Sequence, residues 1–269
     1  MEKFILVTGG ANGIGKAVTE HLAQANYKVF CADINEYAGE NENVIPIIMD
    51  VTKSDSISTA IETISEITPH LTAVINCAGI FLTGSVAEID EVSLWKIMDI
   101  NLMGVFRVNK ACMPLLLAKQ SKIINISSDI AQYSPAPFNG PYAISKHALE
   151  AYNDALRREL MLLNIPVVKI RPGALKTKLL DGIQEDFNCL CESSEYFKNS
   201  LCKMSKMMQR ELNKTNDPIL LAKLVKKIIE QPKPKSLYKI VCSCQLKFLS
   251  LMSEKTQDKI YKRVLCGKS

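Results

Sequence analysis

The sequence predicts an α/β fold: a doubly wound, seven-stranded parallel sheet with helices on both faces and extra helices at its C-terminal end. Three observations predict it. Short apolar runs such as Phe4-Ile5-Leu6-Val7 recur along the chain, and continuously apolar strands belong to parallel sheets covered on both faces. Longer stretches with helical periodicity alternate with these runs, as repeated strand–helix–strand units require. Polar residues stand where apolar runs end (Asp33, Asp50, Asn76), and an open α/β sheet gathers its ligands beyond those ends.

The 269 residues can bury a substantial core, and no repeat or linker divides them, so one domain over 1–269 is expected. The 33 basic and 28 acidic residues are interspersed, giving a formal charge of only +5. Bulk charge therefore argues against nucleic acid as a partner, and the basic stretch Lys223 to Lys239 reads as a solvated face. The nine cysteines lie mostly in apolar contexts, as reduced thiols of a cytoplasmic protein would. Cys242 and Cys244 lack a second pair at zinc-like spacing, so no metal site is expected. A strand begins at Lys3 without a secretion signal, and no apolar run is long enough for a transmembrane span.

After the first strand, Thr8-Gly9-Gly10-Ala11-Asn12-Gly13-Ile14-Gly15 leads into a helix, Lys16 to Ala25. The glycines permit a tight turn and close backbone approach, and the helix N-terminus offers free N–H groups to a pyrophosphate. The second strand, Tyr27 to Ala32, ends at Asp33, placed to accept from a ribose 2′-hydroxyl. This is the opening of a Rossmann-type, dinucleotide-binding unit. The Asp33 carboxylate repels a 2′-phosphate and no Arg follows nearby, so NAD is expected rather than NADP.

The connection Ile34 to Asn43 is too short for a full crossover helix. Val44 to Met49 is the third strand, leading to Asp50-Val51, and Ser54 to Ile67 is helical. Leu71 to Ile75 is the fourth strand, ending in Asn76-Cys77-Ala78-Gly79. Val92 to Ile100 and Val105 to Lys119 read as one helical stretch around Asn101, a poor helix former that is either an exposed polar position or one with a kink or water-binding role. Lys122 to Ile126 is the fifth strand, giving onto Ser127-Ser128 and the loop Asp129 to Gly140. Val167 to Ile170 is the sixth, followed by Arg171-Pro172-Gly173 and Thr177. Leu179 to Asn213 alternates polar with apolar residues and suits a mobile lid, its Leu179 to Met208 part walling a substrate site. Asp217 as N-cap and Pro218 at the first position start a helix to Gln231. Leu237 to Val241 is the seventh strand, and Gln245 to Met252 and Thr256 to Leu265 form a C-terminal helical extension over 245–266.

Tyr142 and Lys146 stand at the start of a run, Ala143 to Asn164, with no Gly or Pro. Four residues apart on a helix, they share a face. A cation beside a phenol stabilises the phenolate and lowers a pKa that is ordinarily near 10, which makes the pair a proton-transfer device.

These motifs, in this order, resemble the short-chain dehydrogenase/reductase family over about residues 3 to 241. The resemblance rests on Thr8 to Gly15, Asp50-Val51, Asn76 to Gly79, Asn101, Ser127-Ser128, Tyr142-x-x-x-Lys146, and Pro172-Gly173 with Thr177. It implies a catalytic tetrad of Asn101, Ser128, Tyr142 and Lys146. Tyr142 would exchange a proton with the substrate oxygen, Ser128 would orient that oxygen, Lys146 would bond the nicotinamide ribose, and Asn101 would hold a water. The cofactor would lie along Gly9, Asn12, Gly13, Ile14, Gly15 and Asp33. Asp50 and Val51 would flank the adenine, and Asn76, Ala78 and Gly79 its ribose. Pro172, Gly173, Leu175 and Thr177 would stand near the carboxamide, with Tyr142 and Lys146 beyond.

Two departures from the family pattern stand out. Ser128 precedes Tyr142 by 14 residues, one more than is usual, which leaves Ser127 as a reserve for the hydroxyl. The short Ile34 to Asn43 connection is the other. The tail after Pro172 resembles the branch that handles hydroxysteroids, retinol and related lipophilic alcohols, so a lipophilic secondary alcohol and its ketone are the expected small-molecule substrates. A sugar, a polyol or a 3-oxoacyl thioester is the alternative substrate, and a non-catalytic nucleotide sensor the alternative function. The family likeness also implies a homo-oligomer, a dimer or tetramer, pairing through the helices at Met103 to Lys119 and Tyr142 to Asn164.

Overall fold

In the computed structural model, which describes residues 2–117, 121–177, 183–212 and 215–267, strand side chains alternate between two buried layers. β1 (Phe4–Thr8) sends Ile5 and Val7 to one layer and Leu6 to the other. β2 (Lys28–Asp33) divides Val29 and Cys31 from Phe30 and Ala32 in the same way. A two-residue period that is apolar on both sides needs cover on both sides, which is why these runs are continuously apolar. β3 (Val44–Ile48), β4 (Ala73–Asn76), β5 (Lys122–Ile126), β6 (Val167–Pro172) and β7 (Leu237–Ile240) complete the sheet. Its order is β3-β2-β1-β4-β5-β6-β7, and each neighbouring pair is parallel. The strand order reverses between β1 and β4, and a crevice opens beyond the C-terminal ends of strands at such a point.

The helices are α1 (Gly13–Gln24), α2 (Ser54–Ile67), α3 (Glu91–Met98), α4 (Val105–Leu116), α5 (Gly140–Leu160), α6 (Ile183–Ser193), α7 (Lys198–Leu212), α8 (Ile219–Glu230), α9 (Cys244–Leu249) and α10 (Glu254–Cys266). α1 and α8 cover one layer with Val18, Leu22, Leu221, Val225 and Ile228. α2 and α4 cover the other with Ile57, Ile64, Val108, Cys112 and Leu116. Full burial of such a side chain stabilises by roughly 1.5–3 kcal/mol. A third cluster joins Phe187 and Cys191 of α6 to Leu201 and Met204 of α7 and Leu265 of α10, with Phe81 and Phe138 packed against it.

Several elements differ from the sequence expectation. The single helix expected from Val92 to Lys119 is α3 and α4 with a π-helical turn, Asp99–Gly104, between them. That turn carries Asn101 fully buried, so the exposed reading of Asn101 is corrected. Leu179 to Asn213, expected as a mixed lid, contains two helices, α6 and α7. Its first residues and Asn213 lie outside the described residues, as does Lys119. Asp217, expected as the N-cap, accepts from Ile219 N at 2.8 Å, but Pro218 holds the cap position and α8 begins one residue later than expected, at Ile219. No helix among the described residues is long and apolar enough to cross a membrane.

Ile228→Ala, at a position with no exposed surface where α8 meets the sheet, is expected to lower stability by about 2–5 kcal/mol in urea unfolding.

Candidate active site

The glycine loop is fastened at Thr8 and at Ala11. Thr8 Oγ1 accepts from the N–H groups of Cys77 and Ala78, each at 3.2 Å, tying the end of β1 to the turn after β4. Asp33 Oδ2 accepts from Ala11 N at 3.0 Å, and its Oδ1 from Asn35 N at 2.9 Å, so the acid at the end of β2 also anchors the loop. A Cβ on Gly15 would lie 2.0 Å from the Gly9 carbonyl oxygen, and one on Gly9 2.8 Å from Ala78 Cα; neither position admits a side chain.

The cleft this leaves at the β1–β4 switch point has a volume of about 350 Å³. Of the residues expected along a dinucleotide, Gly9, Asn12, Gly13, Ile14, Gly15, Asp33, Asp50, Val51, Ala78, Gly79 and Thr177 line it. A Cβ on Gly13 would be 3.4 Å from Thr177 Cβ, so Thr177 closes one side. The bare backbone of the loop and the N-terminus of the 12-residue α1 fit a pyrophosphate. Ile34, Asn35, Met49, Thr52, Cys77, Ile80 and Ile100 also line the cleft. Most of these are chain neighbours of expected residues, and adjacency is the signal that could find them.

Six expected cofactor residues do not line the cleft: Asn76, Pro172, Gly173 and Leu175, together with Tyr142 and Lys146 on α5. Asn76 is buried and donates to Asn109 Oδ1 at 2.8 Å and Asn125 Oδ1 at 2.9 Å, cross-linking the sheet to α4. Pro172 ends β6, and Gly173 packs so closely on β7 that a Cβ would lie 2.1 Å from the Val241 oxygen. Leu175 is a core residue, 3 % exposed.

Past the inner end of the cleft, α5 lies along the C-terminal end of β5. Lys146 Nζ donates to Ile126 O at 3.0 Å, and the Ser128 hydroxyl, which accepts from Ile130 N at 3.4 Å, lies near enough to the Tyr142 phenol to favour its ionisation. Ser127 turns the other way, donating to Glu150 Oε1 at 2.8 Å, which separates the two candidate serines: only Ser128 faces the tyrosine. The Asn101 amide accepts from Ile80 N at 2.8 Å and donates to Ile80 O at 2.9 Å and Ser145 Oγ at 3.0 Å. It therefore clamps the cleft floor to α5, and a Cβ on Gly79 would be 3.1 Å from Asn101 Oδ1 and 3.9 Å from Lys146 Nζ. The Phe81 ring lies over Tyr142, centroids 4.7 Å apart.

Electrostatics here correct the sequence expectation. Burial pushes the Tyr142 phenol up to about 12, opposed by the Ser128 hydroxyl and reinforced by the Asp129 carboxylate. Burial also brings Lys146 down to about 8, so the lysine is not the fixed cation that the i, i+4 spacing implies. Its ammonium sits 5.8 Å from the centre of the tyrosine ring and is engaged with a carbonyl.

Known proteins share both the sequence pattern and the fold. The short chain dehydrogenase family matches residues 3–188. The chain is 31 % identical over 185 residues to human retinol dehydrogenase 16, covering 65 % of this chain and 58 % of that protein. It is 31 % identical over 189 residues to bovine 17-beta-hydroxysteroid dehydrogenase type 6, covering 67 % of this chain and 59 % of the relative. The chain thus spans less than two thirds of the length of those two relatives. It is 30 % identical over 234 residues to a 3-ketodihydrosphingosine reductase of Bacteroides thetaiotaomicron, covering 86 % of this chain and 85 % of that one. The crystal structure of a short-chain dehydrogenase from Streptomyces avermitilis shares the fold at a TM-score of 0.76 and 21 % identity, covering 100 % of both chains. This chain belongs to the short-chain dehydrogenase family.

The Lys146 shift has a sign that can be measured. From its folded value of about 8 to the ordinary 10.5, the unfolded chain holds more protons at this residue, so its contribution to stability rises with pH. Buried thiols such as Cys112, pushed up to about 12, act in the opposite sense, so the readout is a difference. The stability of the wild type minus that of Lys146→Met, followed by denaturant unfolding, is expected to increase across pH 8 to 10.5.

Proposed function

We propose that this chain is an NAD(H)-dependent oxidoreductase that interconverts a lipophilic secondary alcohol, of hydroxysteroid type, and its ketone. The observation that carries the reading is the apolar roof above the proton-transfer group. Phe81 covers Tyr142 and packs with Phe138, Leu190, Phe197 and Met208 against the α6–α7–α10 cluster. A rigid apolar alcohol buries its surface in such a place, and a sugar would leave its hydroxyls without partners. The retinol and hydroxysteroid dehydrogenases among the relatives support the same substrate class.

When bound, the nicotinamide cofactor supplies the hydride acceptor or donor. The chain's residues do the rest. The glycine loop and the N-terminus of α1 hold the pyrophosphate, and Asp33 meets the adenine ribose while its charge disfavours a 2′-phosphate. Ser128 orients the substrate oxygen, and Tyr142 gives or takes the proton there. Lys146, which bonds Ile126 O, would bond the nicotinamide ribose, and a cation there would favour the phenolate and lower the phenol pKa. Asn101 keeps Gly79 and Ile80 in register with α5, and a water held beside it extends the proton path from Lys146.

A second reading, reduction of a long-chain acyl-type ketone, is favoured by the near full-length likeness to the 3-ketodihydrosphingosine reductase. A non-catalytic sensor is the least supported, since Tyr142, Lys146 and Ser128 are all present and in contact with one another's elements. The nine free thiols support a reducing, cytoplasmic setting. Half-exposed Met103 and Phe106, with Phe106 edge-on to Tyr152, support a homo-oligomeric contact through α4 and α5.

A panel of hydroxysteroids, retinol, polyols and 3-oxoacyl thioesters with each cofactor, followed by reduced-cofactor absorbance, tests the reading. Turnover of a hydroxysteroid with NAD is expected, and Tyr142→Phe is expected to lower kcat by about 10²–10⁴-fold. Turnover confined to polyols, or an undiminished Tyr142→Phe enzyme, would count against it. In titration calorimetry NAD is expected to bind more tightly than NADP, with Asp33→Ala narrowing the gap; tighter NADP binding by the wild type would overturn the cofactor assignment.

A further inference from the structure

One buried cluster takes no part in the chemistry above. Glu150, 7 % exposed, lies on α5 two turns beyond Tyr142. Its Oε1 accepts from Ser127 Oγ at 2.8 Å and from Arg171 Nε at 2.6 Å. Its Oε2 accepts from Arg171 Nη2 and lies 3.2 Å from Lys169 Nζ, which also reaches Asp154 Oδ2 at 2.8 Å. Arg171 Nη1 donates to Gln132 Oε1 at 3.3 Å, on the single 3-10 turn Asp129–Gln132 that follows Ser128. One carboxylate thus joins the end of β5, the turn after it, α5 and β6.

The arrangement has a direction. Tyr142, Lys146 and Glu150 are spaced four apart and share one face of α5. They face three consecutive residues at the β5 end: Lys146 bonds the Ile126 carbonyl, Glu150 bonds Ser127, and Tyr142 lies beside Ser128. Two cations keep Glu150 ionised, and a carboxylate only accepts, so the Ser127 hydroxyl must point at it as donor. Neighbouring residues on extended backbone point to opposite sides. Fixing Ser127 toward Glu150 therefore fixes the rotation of the strand end, and with it the side on which Ser128 emerges.

We propose that Glu150 is a positioning residue, which, through the Ser127 hydroxyl, sets the Ser128 hydroxyl against Tyr142. The proposal rests on the roles given above to Ser128 and Tyr142, but its test needs no turnover, so the two can fail separately. With tyrosine labelled at ¹³Cζ and the Tyr142 resonance assigned from Tyr142→Phe, the chemical shift at neutral pH reports how the Ser128 hydroxyl sits against the phenol. Ser127→Ala is expected to move that resonance in the same direction as Ser128→Ala, and Ser127→Thr, which keeps the hydroxyl, to restore it. In the Ser128→Ala background, Ser127→Ala is expected to add nothing. The proposal is overturned if Ser127→Ala leaves the resonance in place, if its effect is additive with that of Ser128→Ala, or if Ser128→Ala itself causes no shift. Glu150→Ala takes the carboxylate from part-buried Arg171 and leaves buried Lys169 with Asp154 alone, which risks unfolding, so the test rests on the serine variants.

Discussion

The site depends on the seating of α5 against the end of β5. Three side chains at successive turns of one helix face meet three successive residues at and just past the end of β5: Lys146 bonds Ile126 O, Glu150 bonds Ser127, and Tyr142 lies beside Ser128. The Glu150 contact is the one backed by charge. Buried ions are stable only when paired, and Arg171 and Lys169 supply the pairing from the next strand.

That seating is joined to the dinucleotide cleft through buried polar side chains. Asn101 binds Ile80 of the cleft floor and Ser145 of α5, and it can do so because the π-helical turn swings it inward. Asn76 binds Asn109 and Asn125, and Asn125 in turn donates to Asn153 of α5 at 2.9 Å. Cleft, strand ends and catalytic helix are therefore one hydrogen-bonded assembly, in which displacement at one place is felt at the others.

Much of this is legible in the sequence, for definite reasons. Strand runs such as Ile5-Leu6-Val7 are apolar at every position because both faces are covered, and the loop glycines are recognisable because no Cβ fits at Gly9 or Gly15. The place of Asp33 at a strand end reveals it, although its second task, anchoring Ala11 N, leaves no trace in the sequence. The rest needs three dimensions. Periodicity does not reveal that one turn around Asn101 is wider than its neighbours. Spacing puts Tyr142 and Lys146 on one face, yet the direction of the phenol shift follows from burial, which spacing does not report. Ser127 and Ser128 are equivalent in a string of letters, and only the Glu150–Arg171 pair distinguishes them.

A crystal structure of the protein soaked with NAD would test the central claim most directly, that cleft and α5 face form one cofactor-dependent proton-transfer site. The account predicts the pyrophosphate on the N–H groups at Gly13 and Ile14, the nicotinamide end beside Tyr142, and Lys146 Nζ moved from Ile126 O to the ribose. NAD bound away from the glycine loop, or in the cleft with its nicotinamide end remote from Tyr142 and Lys146, would contradict it.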